Sequence, residues 1–334
     1  MKKTIITLVL FAALAAARTA AAECIHEAAL AIYPYPQEAC LETPVELPAD
    51  IYLELQPGTE VAGDILERYG MWFESLGLRE GRSSGATVVF GPSDVKHDTI
   101  FRQEGYEISV TADPLTINVG ASTDAGFLYA LFTLQDMVRD GAIYTGTVTD
   151  FPRFDYRGVL EGGYSVWGHE QRLDIVKWLG ELKMNVFMYA PKEGYFFRRR
   201  WREPFSEKAL AEFKEYIEAC REDRVEFIMA ISPALSIEHA NPEELETLMA
   251  KYRQIYDLGV RSFAIFFDDV LPLLSTPIDL ETYDHIAEAE ADLTNRVHAE
   301  LMKWDPDIRL AYCPRQYWGW TPTRYIEILH ENLL

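Results

Sequence analysis

Two adjacent aspartates, Asp268 and Asp269, end an apolar stretch of the sequence that reads SFAIFFDD. Two carboxylates in contact repel each other and resist joint ionisation, so such a pair is either a solvated turn or a site that retains one proton. With one carboxyl ionised and its neighbour protonated, the pair could perform general acid–base chemistry. By itself the pair fits a capping turn equally well, so its interpretation depends on the surrounding sequence.

Glycoside hydrolysis is one reaction that uses a pair of carboxyl groups, and the adjacency of these two aspartates would limit its mechanism. A retaining glycosidase with a protein nucleophile needs its two acids about 5 Å apart across the sugar, and an inverting one needs a wider gap. Adjacent residues suit neither geometry. They suit a third scheme, in which the 2-acetamido oxygen of the substrate attacks the anomeric carbon. One carboxylate then orients the acetamido N–H, and its neighbour protonates the leaving oxygen.

The sequence from Phe154 onwards alternates regularly between strand and helix patterns. Five apolar strands are predicted, with the sequences FDYRGVL, NVFMYAP, VEFIMAIS, SFAIFF and IRLAYCP. Helices are predicted between them, beginning at His169, Ser206, Asn241 and about Asp279. Apolar strands separated by amphipathic helices indicate a parallel sheet. Because the glycine fingerprint of a doubly wound nucleotide-binding sheet is missing, a TIM-type (β/α)8 barrel is favoured.

The ends of the predicted strands carry further polar and aromatic residues, and in a barrel the chemistry lies where strands end. The second strand ends in YAPKEG, whose Lys192 could hold sugar hydroxyls. Aromatic side chains able to stack on a pyranose follow the first and fifth strands: Trp167, Tyr317, Trp318 and Trp320. Each of these residues alone is more often structural than functional.

The number of strands falls short of a complete barrel, which has eight strands and typically about 250 residues. Of the 334 residues, only about 180 follow Phe154, and the sequence stops in the helical pattern after the fifth strand. Five strands alone would leave two unpaired sheet edges and an unfilled interior. We therefore expect about five βα units from a longer protein, with strands six to eight missing.

A smaller α/β domain is predicted at residues 23–150, ahead of the barrel at residues 151–334. Its short strand patterns, such as TVVFG, YEISV and LTINVG, are mixed with a helix capped by Thr123 or Asp124. Cys24 and Cys40 lie in the same N-terminal stretch and could pair after export. Nothing in this domain resembles a catalytic cluster.

Residues 1–22 have the pattern of a secretory signal peptide, with two lysines, an apolar stretch and a small-residue tract. The apolar stretch is too short to span a bilayer, so we expect an exported protein, periplasmic or extracellular. The formal net charge of -22 argues against nucleic acid and anionic membranes as partners. No ligand spacing such as CxxC or HExxH occurs, so a metal site is not indicated.

Six blocks of the sequence, in their order and spacing, resemble glycoside hydrolase family 84, the β-N-acetylglucosaminidases that include protein O-GlcNAcases. The blocks are RGVLEGGYSVW, YAPK, WREPF, ISPALSI, LGVRSFAIFFDDV and YCPRQY. The segment 44–150 is similar to the small domain that precedes the barrel in this family and in family 20 hexosaminidases. The resemblance implies a retaining glycosidase that acts on β-linked GlcNAc of a glycan or glycoprotein, without a metal or cofactor.

The resemblance also implies roles for the aspartate pair. Asp268 would orient and polarise the acetamido group of the substrate. Asp269 would be the general acid, and it would later activate water as a base. The intermediate would be an oxazoline, and the product would be β-GlcNAc.

Four further positions would contact the sugar, as the resemblance implies. Lys192 and the backbone of Gly162 would hydrogen-bond its hydroxyls, Tyr164 would line the acetamido pocket, and Tyr317 would support the oxazoline-forming geometry. Two alternative functions stay open at this point. One is a catalytically silent glycan-binding barrel protein, and the other is a broader β-N-acetylhexosaminidase that also accepts GalNAc.

Overall fold

The computed structural model of the protein describes most of the chain, namely residues 24, 26–81, 85–95, 99, 103–163, 167–192, 194, 196–319 and 321–334. The predicted signal peptide and the predicted site residue Tyr164 lie outside these ranges. Within them, no helix combines the length and the apolar character needed to cross a bilayer. The chain divides into two compact units between Asp155 and Tyr156.

The first unit is a mixed sheet with three helices among its described residues. The strands are β1 (Glu38–Glu46), β2 (Asp50–Leu55), β3 (Arg79–Glu80), β4 (Ala86–Gly91), β5 (Tyr106–Ala112), β6 (Leu115–Ala121), β7 (Val138–Arg139) and β8 (Ala142–Asp150). The helices are α1 (His26–Ala29), α2 (Gly63–Ser75) and α3 (Asp124–Met137). The strand order is β1-β8-β5-β6-β4-β2-β3, with β7 paired to β8. The pairs β1–β8, β8–β5 and β5–β6 are antiparallel. The pairs β6–β4, β4–β2 and β2–β3 are parallel.

The core of the first unit is formed by the sheet together with α2 and α3. Helix α3 buries Phe127, Leu131 and Leu134 in this core. It begins as the sequence predicts, because the Thr123 hydroxyl accepts a hydrogen bond from the backbone N–H of Gly126 at 3.2 Å. Cys24 is joined to Cys40 by a disulfide, the pairing that the sequence left open.

The second unit consists of strands that alternate with helices. The strands are β9 (Gly158–Glu161), β10 (Val186–Tyr189), β11 (Glu226–Ile231), β12 (Ser262–Phe266) and β13 (Arg309–Cys313). The helices are α4 (His169–Glu181), α5 (Glu207–Glu222), α6 (Pro242–Tyr256), α7 (Pro277–Thr282), α8 (Ile286–Met302) and α9 (Arg324–Asn332). The five strands pair in chain order and are all parallel. This arrangement confirms the predicted α/β class and is consistent with a partial (β/α)8-type barrel.

Both faces of the second sheet are apolar, as expected for parallel strands covered on two sides. Successive strand residues point to opposite faces, and they fall into two clusters. Phe187, Phe227 and Phe263 belong to the cluster that packs against the helices. Ala230 and Ala264 belong to the other, smaller cluster on the opposite face. The carboxyl ends of all five strands lie at one edge, where the predicted site residues follow.

Two element boundaries differ from the sequence prediction. The helix predicted to begin near Asp279 is two helices, α7 and α8. Tyr283 has an extended backbone (φ -123°, ψ 142°) that ends α7, and His285 caps α8 by accepting a hydrogen bond from Ala287 at 3.1 Å. The first predicted strand, FDYRGVL, is shorter than expected: β9 begins at Gly158 because its pairing with β10 begins there.

Candidate active site

The two aspartates lie at the carboxyl edge of the second sheet, directly after β12. Pairing continues one residue past the strand, since the N–H of Phe267 donates to the carbonyl of Cys313 at 3.0 Å. By strand alternation, Asp268 therefore lies on the same face as Phe266, which belongs to the smaller cluster on the face opposite the helices. Asp269 has a left-handed backbone (φ 55°), which is uncommon for a residue other than glycine. This turn breaks the strand alternation, so both carboxylates reach the same cation.

That cation is the ammonium group of Lys192, which follows β10. Its Nζ donates a hydrogen bond to Asp268 Oδ2 at 2.5 Å and another to Asp269 Oδ2. Burial would lower the pKa of Lys192, but the hydrogen bonds and charges of the two aspartates outweigh it and raise this pKa. Lys192 therefore stays charged and offsets the repulsion between the two carboxylates.

The two carboxylates have different environments. The side chain of Asp268 is 8% exposed, and its Oδ1 has no hydrogen-bond partner among the described residues. The side chain of Asp269 is 38% exposed, and its backbone carbonyl accepts a hydrogen bond from Arg198 at 2.8 Å. One carboxylate is thus enclosed, with one oxygen that has no partner among the described residues, while the other is accessible from solvent. Adjacent acids in unlike environments are suited to different roles.

Cys313, at the end of β13, lies close to this charge cluster. Burial of the Cys313 thiol, together with the negative charge of Asp268, raises its pKa to about 11. The thiol is therefore neutral near pH 7 and is not an activated nucleophile. Within the described part of the chain, no group of three or more His, Cys, Asp or Glu residues is placed to hold a metal ion.

Of the other predicted site residues, Gly162 and Tyr317 are described. Gly162 directly follows β9 at the same sheet edge as Lys192. Tyr317 lies in the segment after β13, is largely exposed, and makes an edge-on ring contact with Trp318 at 5.3 Å. Tyr317 has no hydrogen bond to Lys192 or to the aspartates in this structure. The structure thus brings Lys192 and the aspartate pair together, and it leaves Tyr317 outside this cluster.

A buried ion pair that the sequence reasoning missed supports the end of β9. The Arg172 guanidinium on α4 donates to both carboxylate oxygens of Glu161 at 2.8 Å each. The same guanidinium lies over the ring of Tyr189, 4.9 Å from its centroid. Glu161 immediately precedes Gly162, so this pair fixes the strand end that carries the predicted sugar contact. The sequence feature that could have indicated this ion pair is the acidic residue at the end of an apolar strand, because buried acids are nearly always paired.

A second missed cluster supports the segment that follows the aspartates. Arg315, in the YCPRQY block, donates from Nε to Glu290 of α8 at 2.6 Å, and its guanidinium also donates to the carbonyl of Leu271. Burial raises the pKa of Glu290, while the charge of Arg315 opposes this shift. Leu271 is two residues beyond Asp269, so the pair anchors the turn that holds the aspartates. The sequence feature that could have revealed this pair is Glu290, a charged residue at helical spacing with the buried Leu293 and Val297 of α8.

Comparison with family models gives two matches that together cover most of the chain. A beta-N-acetylglucosaminidase family model matches residues 157–334, and the domain 2 model of glycosyl hydrolase family 20 matches residues 29–151. The first match takes in the whole sheet edge that carries Lys192 and the aspartates. The chain belongs to the beta-N-acetylglucosaminidase family, glycoside hydrolase family 84. The resemblance read from the sequence is thereby confirmed.

Individual relatives and solved structures agree with this family. The chain is 38% identical over 184 residues to Protein O-GlcNAcase of Rattus norvegicus and, equally, of Mus musculus; this is 53% of the chain and 20% of each relative. It thus spans about a fifth of the length of these curated relatives. A mutant O-GlcNAc hydrolase of Thermobaculum terrenum is 38% identical, with a TM-score of 0.53 over 54% of this chain and 39% of that one. The structure of CpGH84B is 25% identical, with a TM-score of 0.75 over 90% of this chain and 54% of that one.

Proposed function

We propose that the protein is an exported, retaining β-N-acetylglucosaminidase that removes terminal β-linked GlcNAc by substrate-assisted catalysis. The observation that carries this proposal is the meeting of two adjacent carboxylates of unlike exposure at one lysine. Asp268 is enclosed and keeps a free acceptor oxygen, whereas Asp269 is accessible from solvent. Family membership and the O-GlcNAc-hydrolysing relatives support the choice of sugar.

The first chemical step divides the work between the two aspartates. The acetamido oxygen of the substrate attacks the anomeric carbon while the bond from that carbon to the leaving oxygen breaks. Asp269 gives its proton to the leaving oxygen, which departs as a neutral alcohol. Asp268 accepts a hydrogen bond from the acetamido N–H, and its negative charge stabilises the positive charge that develops on the ring being formed. The intermediate is the protonated oxazoline, an oxazolinium ion, whose N–H keeps this hydrogen bond to Asp268.

The second step runs the same groups in reverse. Asp269, now ionised, takes a proton from a water molecule, and the water oxygen attacks the anomeric carbon. The oxazoline opens and the acetamido group is restored. Two inversions at the same carbon give net retention, so the product is β-GlcNAc. A bell-shaped pH dependence is expected for this scheme, because it needs one carboxylate ionised and its neighbour protonated.

Sugar binding is assigned to four further residues, by similarity to the family. Lys192 and the backbone of Gly162 hold the hydroxyls, Tyr164 lines the acetamido pocket, and Tyr317 supports the geometry of ring closure. In the free protein Lys192 is engaged by both carboxylates. In this scheme, substrate binding redirects the ammonium group of Lys192 from Asp269 to the sugar hydroxyls.

Export is the remaining part of the proposal, and two features support it. Residues 1–22 have the order of charges, apolar core and small residues typical of a secretory signal peptide. Cys24, two residues after this segment, is disulfide-bonded to Cys40, and disulfides persist in oxidising compartments outside the cytosol. The substrate is accordingly a glycan or glycoprotein that carries β-GlcNAc outside the cytosol.

The test compares two leaving groups in two variants of the full-length protein. Phenyl β-GlcNAc needs a proton on its leaving oxygen, whereas 2,4-dinitrophenyl β-GlcNAc leaves as a stable anion. Asp269→Asn should lower the hydrolysis rate of the phenyl glycoside by about 100-fold or more and affect the dinitrophenyl glycoside much less. Asp268→Asn should slow both, because it acts on the attacking acetamido group. Equal losses for both substrates in both variants would contradict this assignment of roles.

Two further measurements address the nucleophile and the competing functions. A thiazoline analogue of the intermediate should inhibit strongly, and bulkier acyl groups on nitrogen should slow the reaction progressively. A protein that binds GlcNAc but hydrolyses neither aryl glycoside is a glycan-binding protein. Equal turnover of β-GalNAc and β-GlcNAc glycosides would identify a broader hexosaminidase.

A further inference from the structure

A pocket of about 390 Å³ lies next to Asp269, in the loops that follow β11 and β12. Three leucines line it, namely Leu235, Leu271 and Leu273, and we call it the leucine pocket. Asp269 also contributes to its lining. Lys192 and Asp268 are not among the described residues that line it. Of the two aspartates and Lys192, all of them described, Asp269 is thus the one that lines the leucine pocket.

The position of Asp269 identifies what the leucine pocket faces. In the proposed reaction, Asp269 protonates the oxygen that joins the sugar to the rest of the substrate. A general acid must lie within hydrogen-bond reach of that oxygen. The sugar is held on the side of Lys192 and Asp268, so the group beyond the oxygen, the aglycone, lies on the other side of Asp269. We place the leucine pocket on that side, because Asp269 lines it whereas Lys192 and Asp268 are not among its described lining residues.

The exposed side chains of the lining are mainly apolar, whereas its polar residues His239, Asp279 and Arg315 are almost fully buried. The three leucines are 47%, 76% and 65% exposed, which is unusual for large aliphatic side chains grouped around one cavity. Ligand pockets are typically lined by such side chains with few polar groups. Burying these leucines under a ligand would remove apolar surface from water, which favours binding.

The buried charged groups of the lining are already paired with other side chains. Asp279 accepts a hydrogen bond from His239 at 2.9 Å, and Arg315 is paired with Glu290. A charged ligand would have to compete with these internal partners, whereas an uncharged one would leave them intact. The leucine pocket therefore favours an uncharged, apolar occupant.

We infer that the leucine pocket is the aglycone-binding site and that it selects β-GlcNAc substrates with an uncharged, apolar group next to the glycosidic oxygen. This inference rests on the proposed function, because it needs Asp269 to act as the general acid. The leucine side chains touch the aglycone equally in the bound substrate and in the transition state. Their contribution therefore appears in KM, while kcat stays nearly constant.

The test uses alkyl glycosides whose leaving alcohols have similar acidity, so that chemistry is matched. Hexyl β-GlcNAc should show a KM about 10-fold lower than methyl β-GlcNAc, since each buried methylene group contributes to affinity. A glycoside of equal chain length that ends in a carboxylate should lose this advantage. Release of GlcNAc is measured for each substrate with the full-length protein.

Variants at the leucines assign the preference to this pocket. The double variant Leu271→Ser/Leu273→Ser should reduce the hexyl-to-methyl advantage to about 2-fold. Both side chains are mostly exposed, so the fold should tolerate the change. Leu280→Ser is the matched control, because Leu280 is 61% exposed on α7 and is not part of the described lining. It should leave the advantage unchanged.

The failures of the inference and of the proposed function are distinguishable. If hexyl and methyl glycosides are hydrolysed with equal KM, or if the double variant keeps the full preference, the inference is wrong while the glycosidase activity stands. If neither these substrates nor aryl β-GlcNAc glycosides are hydrolysed, the proposed function fails and the inference fails with it.

Discussion

Replacing Arg172 by leucine removes the cation that pairs with the buried carboxylate of Glu161. The carboxylate is 1% exposed and receives two hydrogen bonds of 2.8 Å from this guanidinium. Without Arg172 it is left as an uncompensated buried charge, which destabilises proteins by about 3 to 5 kcal/mol. The variant also loses the cation–π contact with the ring of Tyr189. We therefore expect a large loss of stability from this single change.

The loss should be visible as a lower melting temperature. In a domain of 150 to 250 residues, 1 kcal/mol corresponds to about 2 to 4 °C, so Arg172→Leu should melt about 6 to 20 °C below the wild type. Calorimetry of the full-length protein measures this shift. Chemical denaturation of the same variant gives the free energy of unfolding independently.

A double-mutant cycle separates the pairing of the two charges from simple loss of packing. Glu161→Leu alone should also destabilise, because it leaves the guanidinium of Arg172 buried without its partner. The double variant Glu161→Leu/Arg172→Leu should be more stable than the sum of the two losses predicts, since no buried charge remains. Additive losses, or a loss below about 1 kcal/mol for Arg172→Leu, would refute the idea that the ion pair holds this strand end.

Three further outcomes are expected at or near the carboxylate pair. Lys192→Met should lower kcat/KM at least about 100-fold, because the sugar hydroxyls lose a hydrogen-bond donor and the repulsion between the two carboxylates is no longer offset. Burial alone would raise the pKa of Asp279, but hydrogen bonds from His239 and Ala240 lower it from 3.8 to about 2. The lowered pKa corresponds to a stabilisation of about 2 kcal/mol, which is present above pH 4 and is lost as the pH falls towards 2. Urea unfolding of Asp279→Asn should lack this pH dependence. Asp269→Asn should keep the wild-type melting temperature, whereas Asp269→Val should lower it, because asparagine tolerates the positive φ and β-branched residues do not.

The sequence predicted the strands and the location of the site because these depend on local patterns. The apolar runs of the second unit fix which segments are strands, and their two-residue period fixes the face of each side chain. Lys192 and Asp268 each follow such a run, so their placement at one sheet edge follows from parallel topology alone. The cap at Thr123 was also predictable, since it depends on a side chain and a backbone group three residues apart.

The pairing of buried charges could not be predicted from the sequence in the same way. Glu161 and Arg172 are joined only once α4 packs on the sheet with a particular rotation. Arg315 and Glu290 are brought together by the relative positions of β13 and α8. The sequence offers several other acids and bases at similar spacing, and nothing local selects these partners. Such contacts are set by tertiary packing, and they hold the strand ends on which the candidate site depends.

The placement of both aspartate side chains on one side of the sheet edge depends on the local pattern and on tertiary packing together. A strand alone would send Asp268 and Asp269 to opposite faces, and only one of them could then meet a sugar. The left-handed turn at Asp269 brings both to Lys192, and such a conformation persists only where the surrounding structure stabilises it. Arg198 binds the Asp269 carbonyl at 2.8 Å and thereby fixes this turn directly. The left-handed turn at Asp269 therefore produces the arrangement that the proposed mechanism needs: two acids on one side, one enclosed and one accessible.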